Sequence, residues 1–274
     1  MTTGRSLHIG LNRVDPNHYQ DSYGNPWEGT LLACEFDAED MQAVAESQGF
    51  QTQLLLSEEA TADAVIGAIT QAAEDLESGD IFLLSYAGHG GQVPDLNGEE
   101  EDEMDETWCC FDRQIVDDEL YALWAGFQPG VRIFMLSDSC HSGTVAKDAE
   151  LQEAAGGRGK LRVLPAEVQA ATYRSHRSFY DGLQTDNPDS EQLEIGASVI
   201  LISGCQDDEY SSDGEENGLF TEKLLQVWDQ GAFTGNLLHF QQRIVDEMPW
   251  YQNPNYFRAG TPSREFEQQR PFTI

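Results

Sequence analysis

Short apolar runs alternate with amphipathic stretches along the first 205 residues. Residues 7–11 read as a strand. Over residues 33–48, Phe36, Met41, Val44 and Ala45 recur near helical spacing, which predicts a helix. Residues 51–56 form the next strand. Thr61 stands where it would cap a helix whose apolar residues Val65, Ile69, Ala72 and Leu76 lie three or four apart, with Gly79 as its stop. Residues 81–86 are a continuous apolar run between Asp80 and Gly88, as expected of a parallel strand buried on both faces. A short helix is predicted over 118–127, further buried strands over 131–136 and 198–202, and two late helices over 218–228 and 236–248. This alternation argues for a three-layer α/β sandwich with a mainly parallel central sheet and helices on both faces.

Two stretches break the pattern. Residues 99–106 hold seven acids in eight positions and are not expected to form a regular core element. Residues 147–188, rich in Gly, Arg, Asp and Ala, carry one predicted helix near 167–173. They read as a long connection between two halves of one domain, and a loop of that length inside a compact domain is usually functional or mobile.

Charge narrows the function. The 274 residues carry 49 Asp and Glu against 15 Lys and Arg, for a formal net charge of −34. Such a surface excludes sequence-general binding of nucleic acid and disfavours docking on anionic lipid. A hydrophobic content of 39% supports a real core. The longest apolar runs are too short to span a bilayer, and the N-terminus lacks a signal-peptide apolar region. Five cysteines at irregular spacing suit free thiols in a reducing, cytoplasmic setting. The acid is also unevenly placed. Residues 14–112 contain 24 Asp and Glu and no Lys or Arg, whereas six of the fifteen bases fall within 147–177.

In open α/β sheets, ligands bind outside the carboxyl ends of the strands. Strand 81–86 runs into Ala87-Gly88-His89-Gly90-Gly91, and strand 131–136 into Ser137-Asp138-Ser139-Cys140-His141-Ser142-Gly143. If these strands are neighbours, His89 and Cys140 emerge together as a nucleophile and its base. The imidazole can take the thiol proton and later protonate a leaving amine. The glycines let backbone N–H groups approach an oxyanion. Singly, each signal is weak. A lone cysteine at a strand end is more often a small buried residue, Cys140-His141 has no second ligand pair for a metal, and Cys109-Cys110 reads as structural.

Together the blocks Ser85-Tyr86-Ala87-Gly88-His89-Gly90-Gly91-Gln92 and Asp138-Ser139-Cys140-His141-Ser142-Gly143 resemble the His and Cys motifs of metacaspases, the caspase-fold cysteine peptidases of bacteria, plants, fungi and protists. Leu31-Leu32-Ala33-Cys34-Glu35-Phe36-Asp37-Ala38 is similar to the family's early helix, Ser203-Gly204-Cys205-Gln206-Asp207-Asp208 to the opening of its small half, and Gly218-Leu219-Phe220-Thr221 to the helix after it. The pentapeptide that surrounds the nucleophile of animal caspases is absent. The resemblance implies one caspase-like domain with a six-stranded sheet: a large half over 1–146, a linker over 147–190 and a small half over 191–274. It implies Cys140 as nucleophile, His89 as general acid and base, and an oxyanion hole from the backbone N–H groups of Gly90 and Cys140. It implies a specificity pocket of Cys34, Asp37, Ala87 and Asp138, where the family commonly has Ser in place of Ala87.

Two converging carboxylates repel unless a cation lies between them, and a substrate Arg supplies one with bidentate geometry. The pocket is therefore expected to take Arg or Lys at the cleaved position of protein or peptide substrates. The run Ile115-Val116-Asp117-Asp118-Glu119-Leu120 resembles the calcium-binding segment of calcium-dependent metacaspases, implying Asp105, Asp117, Asp118 and Asp148 as ligands of an activating Ca²⁺; the alternative is a solvated acid run. The basic residues Arg158, Lys160 and Arg162 are candidate self-processing sites, or else a plain linker that balances the acidic body. A monomer with no organic cofactor is expected, without a recruitment domain ahead of the first strand. The competing readings are a degenerate caspase-fold scaffold or calcium-dependent binding protein, and a clostripain-like or gingipain-like peptidase of the same clan.

Overall fold

The computed structural model describes residues 2–96, 98, 103–140, 160–186, 193–205 and 211–274. Six strands make the central sheet: β1 (Gly4–Gly10), β2 (Gln51–Leu56), β3 (Ile81–Ala87), β7 (Arg132–Asp138), β8 (Ser198–Ser203) and β9 (Asn255–Gly260). Their spatial order is β2-β1-β3-β7-β8-β9, and every pairing is parallel except that of β8 with the edge strand β9. This is the mainly parallel six-stranded sandwich expected.

The apolar run of β3 is continuous because both faces of the sheet are covered. Phe82, Leu84 and Tyr86 point into one core with Leu7, Ile9 and Ile133, under α2 (Ala62–Asp75), α3 (Asp117–Ala125) and α4 (Ala166–Ser175). Ile81 and Leu83 point the other way, to Phe134, Leu136 and Ile200. That face is covered by α1 (Cys34–Ser47), α6 (Leu219–Trp228), α7 (Leu237–Glu247) and α8 (Arg264–Gln268). Thr61 caps α2 by accepting from the Ala64 N–H at 3.2 Å, and Asn236 caps α7 by accepting from the His239 N–H at 2.8 Å, satisfying amides that a first turn leaves without partners. Among the described residues, no helix is long and apolar enough to cross a membrane.

Three features differ from the sequence reading. The acidic stretch is not wholly outside regular structure. Met104–Cys109 is β5, the centre of a small antiparallel sheet with β4 (Gly90–Pro94) and β6 (Gln114–Val116). Pairing with Val93 carries Asp105 inside, so an acid occupies a buried position of a period-two pattern and masks it. The 147–188 connection carries more helix than expected: its described part holds α4 and a second helix, α5 (Arg177–Asp186). Strand β9 was not foreseen, because a half-exposed edge strand carries no apolar run.

Candidate active site

The β3–β7 register pairs Ala87 with Asp138, so His89 and Cys140 each follow two residues beyond matched strand ends. Both are buried. His89 Nε2 lies 2.8 Å from the Gly29 carbonyl, and the ring packs 4.9 Å from that of Trp27. A carbonyl only accepts, so in the neutral ring Nε2 holds the proton and Nδ1 the lone pair. Nδ1 has no hydrogen-bond partner. Burial lowers the His89 pKa to about 4, against smaller raising contributions from the Gly29 carbonyl, Asp213 and the nearby Val163 backbone. The imidazole is thus kept neutral, as a general base must be. Cys140 Sγ accepts from the Ser211 N–H.

Residues 160–164 run through this corner as an extended segment. Leu161 bridges Ser212 in antiparallel fashion, and Val163 bridges Gly90 in parallel fashion. The Arg162 N–H donates to the Ser211 carbonyl at 3.0 Å, and the Asp213 N–H donates to the Lys160 carbonyl at 2.8 Å. The Arg162 carbonyl accepts two hydrogen bonds, from the Gly90 N–H at 3.0 Å and the Cys140 N–H at 3.1 Å. Two backbone donors on one carbonyl are the arrangement that stabilises charge developing on its oxygen.

The Arg162 side chain, 0% exposed, enters a cage of carboxylates. Its guanidinium lies 2.5 Å from Asp37, 2.8 Å from Asp138 and 3.1 Å from Asp213. Each acid is fixed by other donors. Asn217 Nδ2 and the Gly218 N–H bond Asp37 at 3.1 and 3.0 Å. The Ser211 and Thr221 hydroxyls bond Asp138. The N–H groups of Leu32 and Ala33 bond Asp213 at 2.8 and 3.2 Å. Burial opposes the guanidinium charge, but Asp138, Cys34, Asp37 and Asp213 hold its pKa well above the usual value. Burial pushes Asp37 up to about 6 against the pull of Arg162. Gly218 forms part of the cage wall; a Cβ there would lie 2.5 Å from the guanidinium.

The structure therefore brings together His89, Gly90, Cys140, Asp37, Asp138 and Arg162. Cys34 and Ala87 pack together beside this cluster with Leu31. A void of about 10 Å³ touches Ala87, Asp37 and Asp138, where a serine hydroxyl at 87 would add bulk. Lys160 lies along the same segment but outside the cage, its exposed ammonium donating to the Thr30 carbonyl at 2.7 Å. Arg158 and Asp148 lie outside the described residues. Asp213 was missed by the sequence reading. It sits far along the chain from the other acids, and only the pairing of 160–162 with 211–213 delivers it.

The acids Asp105, Asp117 and Asp118 are electrostatic neighbours. Burial, then Asp105, Glu106 and Asp118, push the Asp117 pKa up to about 9. The all-oxygen donor set has the chemistry a hard cation prefers. Among the described residues, however, no group of three or more His, Cys, Asp or Glu side chains is arranged to hold a metal ion.

The family model described as "Caspase domain" matches residues 14–266. Metacaspase-1A of Aspergillus oryzae is 29% identical over 253 residues, which span 80% of this chain and 58% of that protein. Metacaspase-1 of Kluyveromyces lactis is 33% identical over 180 residues, 56% of this chain and 41% of that protein. The chain thus spans about half the length of the curated relatives it matches. Among solved structures, protein GSU0716 from Geobacter sulfurreducens is 50% identical with a TM-score of 0.89, over 99% of both chains. Caspase-1 from Spodoptera frugiperda shares the fold, with a TM-score of 0.52 at 11% identity over 94% of this chain and 86% of that one.

Proposed function

The chain belongs to the caspase-domain family, and from that premise we propose that it is a cysteine endopeptidase that cleaves after Arg or Lys, with the bond between Arg162 and Val163 as a substrate within its own chain. One observation carries the reading: the Arg162 guanidinium sits among three carboxylates while its carbonyl bridges the N–H groups of Gly90 and Cys140.

The reaction follows from these positions. Cys140 sulfur attacks the Arg162 carbonyl carbon, and His89 takes the thiol proton. The carbonyl electrons move onto the oxygen that Gly90 and Cys140 stabilise. As the C–N bond breaks, His89 passes the proton to the Val163 nitrogen, leaving a thioester that water hydrolyses. Arg is preferred over Lys because its planar fork can meet Asp37, Asp138 and Asp213 together, whereas an ammonium is a single compact charge. A scaffold without activity would leave the paired donors on the Arg162 carbonyl unexplained.

The test is a panel of fluorogenic peptides with Arg, Lys or Asp at the cleaved position, run with the wild type and Cys140→Ala. Arg should be cleaved fastest and Lys more slowly, with Asp untouched and all activity lost in Cys140→Ala. Preference for Asp, or turnover that survives Cys140→Ala, would overturn the reading.

Ca²⁺ as an activator belongs to the same proposal. Asp105, Asp117 and Asp118, which are not arranged around an ion in this structure, would have to draw together to hold it, with Asp148 as the fourth ligand; bound there, it would supply positive charge that offsets their mutual repulsion. Chelation should lower Arg-peptide cleavage at least about tenfold, a loss of about 1.4 kcal/mol in barrier terms, and added Ca²⁺ should restore it. Activity and melting temperature both indifferent to chelator and Ca²⁺ would remove the ion from the account.

A further inference from the structure

A peptidase releases its leaving amine so that water can take its place. In this chain the leaving amine would belong to Val163, and the residues after it are fastened to the body. Val163 is 7% exposed and Leu164 0% exposed. Leu164 belongs to the main core and donates its N–H to the Gly90 carbonyl at 2.7 Å. Its side chain presses on Gly91, where a Cβ would lie 3.2 Å from Leu164 Cβ. Gln169 of α4 accepts from the Gln92 N–H at 2.9 Å. In α5, Gln184 donates to the Pro94 carbonyl at 2.8 Å, and the Tyr180 hydroxyl lies 2.9 Å from His18 Nε2. Residues 163–186 are therefore tied to the sheet by contacts that do not depend on the bond between 162 and 163. Cutting that bond leaves the new Val163 amine held by these contacts, while Arg162 keeps its cage and backbone contacts until an incoming donor displaces it.

Given the cleavage proposed above, on which this inference rests, we infer that the processed enzyme is also an acyl transferase whose acceptor is its own Val163 amine. Acylation and its reverse share one transition state. If the site can expel the Val163 amine, it can also use that amine to attack a thioester on Cys140, provided the amine stays, and the anchored segment keeps it there. Groups held in reacting geometry can act as if present at about 10⁵–10⁸ M, which lets one retained amine compete with water.

Each step balances. An incoming Arg ester acylates Cys140: the C–S bond forms, the ester C–O bond breaks, and the alcohol leaves with the thiol proton carried by His89. The neutral Val163 amine then attacks the thioester carbonyl. The C–N bond forms, the C–S bond breaks, and the amine proton returns through His89 to the thiolate. The product is the donor peptide joined by an ordinary amide to the fragment that begins at Val163. No oxidant, nucleotide or cofactor is consumed. The same chemistry makes the first cut reversible, so the processed and intact chains interconvert until the Arg162 end leaves the cage.

The experiment uses processed wild-type enzyme and a dansyl-Lys-Leu-Arg methyl ester as donor, the peptide part copying residues 160–162. Intact mass and dansyl fluorescence of the separated fragments are followed over time. The fragment beginning at Val163 should gain the mass of the dansyl-tripeptide acyl group while free dansyl acid accumulates. Leu164→Ala, which loosens the anchor, should lower the ratio of transfer to hydrolysis at least fivefold. Should that variant fail to fold, the wild-type mass gain alone decides. Donor hydrolysed with the Val163 fragment unchanged in mass overturns the transferase inference and leaves the peptidase reading standing. A chain never cut after Arg162, or a donor never consumed, overturns both.

Discussion

Replacing Arg162 with glutamine should leave the chain uncut after residue 162, whereas Arg162→Lys should still be cut, more slowly. Glutamine is uncharged and its amide stops short of where the guanidinium sits, so Asp37, Asp138 and Asp213 would be left without the cation that now joins them. Breaking a buried ion pair by removing one partner costs roughly 3–5 kcal/mol, which corresponds to a rate loss of about 10²-fold or more. Part of that cost should also appear as a lower melting temperature. Relief would come from protonation of Asp37, whose pKa burial already pushes up to about 6, so the loss of stability should be smaller at pH 5 than at pH 8. Intact mass after incubation reads the cleavage, and thermal unfolding at the two pH values reads the stability. Cleavage of Arg162→Gln after residue 162 at the wild-type rate would show that the acid cage does not select this bond.

This outcome was only half legible in the sequence. Residue types and local order pointed to His89 and Cys140, because strand ends carry chemistry in parallel sheets and the two motifs follow apolar runs, whereas Asp37 and Asp138 entered through the resemblance to metacaspases. The basic residues of the linker were legible as candidate cleavage sites. What stayed hidden was which one enters the pocket. Arg158, Lys160 and Arg162 share composition and neighbourhood, and alternation along an extended segment would even put 160 and 162 on one face; only the tertiary pairing of 160–162 with 211–213 sets Arg162 in the cage, while Lys160 reaches the Thr30 carbonyl outside it. The same pairing delivers Asp213, which no local pattern marks. Strand β5 was hidden for a related reason: a buried Asp105 reads as polar to any pattern that counts apolar positions. The edge strand β9 has the opposite problem, since its register comes from β8 and its own residues are largely exposed.

The three cage acids should not count equally, and their order tests how the pocket selects charge. Asp138 accepts from the Ser211 and Thr221 hydroxyls, and its other contact is the guanidinium at 2.8 Å. In Asp138→Asn an amide would replace a carboxylate both of whose oxygens accept. Its NH₂ group would stand either at Oδ1, facing the Ser211 hydroxyl, or at Oδ2, facing the Thr221 hydroxyl and the guanidinium together, and both lose an acceptor as well as the charge. A fall in kcat/KM for Arg peptides of roughly 10²–10³-fold follows from the cost of an uncompensated buried charge. Asp213 differs, because its oxygens also serve the Leu32 and Ala33 N–H groups and its distance to the guanidinium is 3.1 Å. In Asp213→Asn one oxygen can still accept, and a loss of about tenfold is expected, near the 1.4 kcal/mol that such a ratio represents. A citrulline peptide, which keeps the shape of Arg without its charge, separates electrostatics from packing. The wild type should discriminate strongly against citrulline, and Asp138→Asn should narrow that gap. Asp138→Asn that cleaves Arg peptides within threefold of the wild type, or that keeps the full discrimination against citrulline, would mean that shape rather than carboxylate charge sets the specificity.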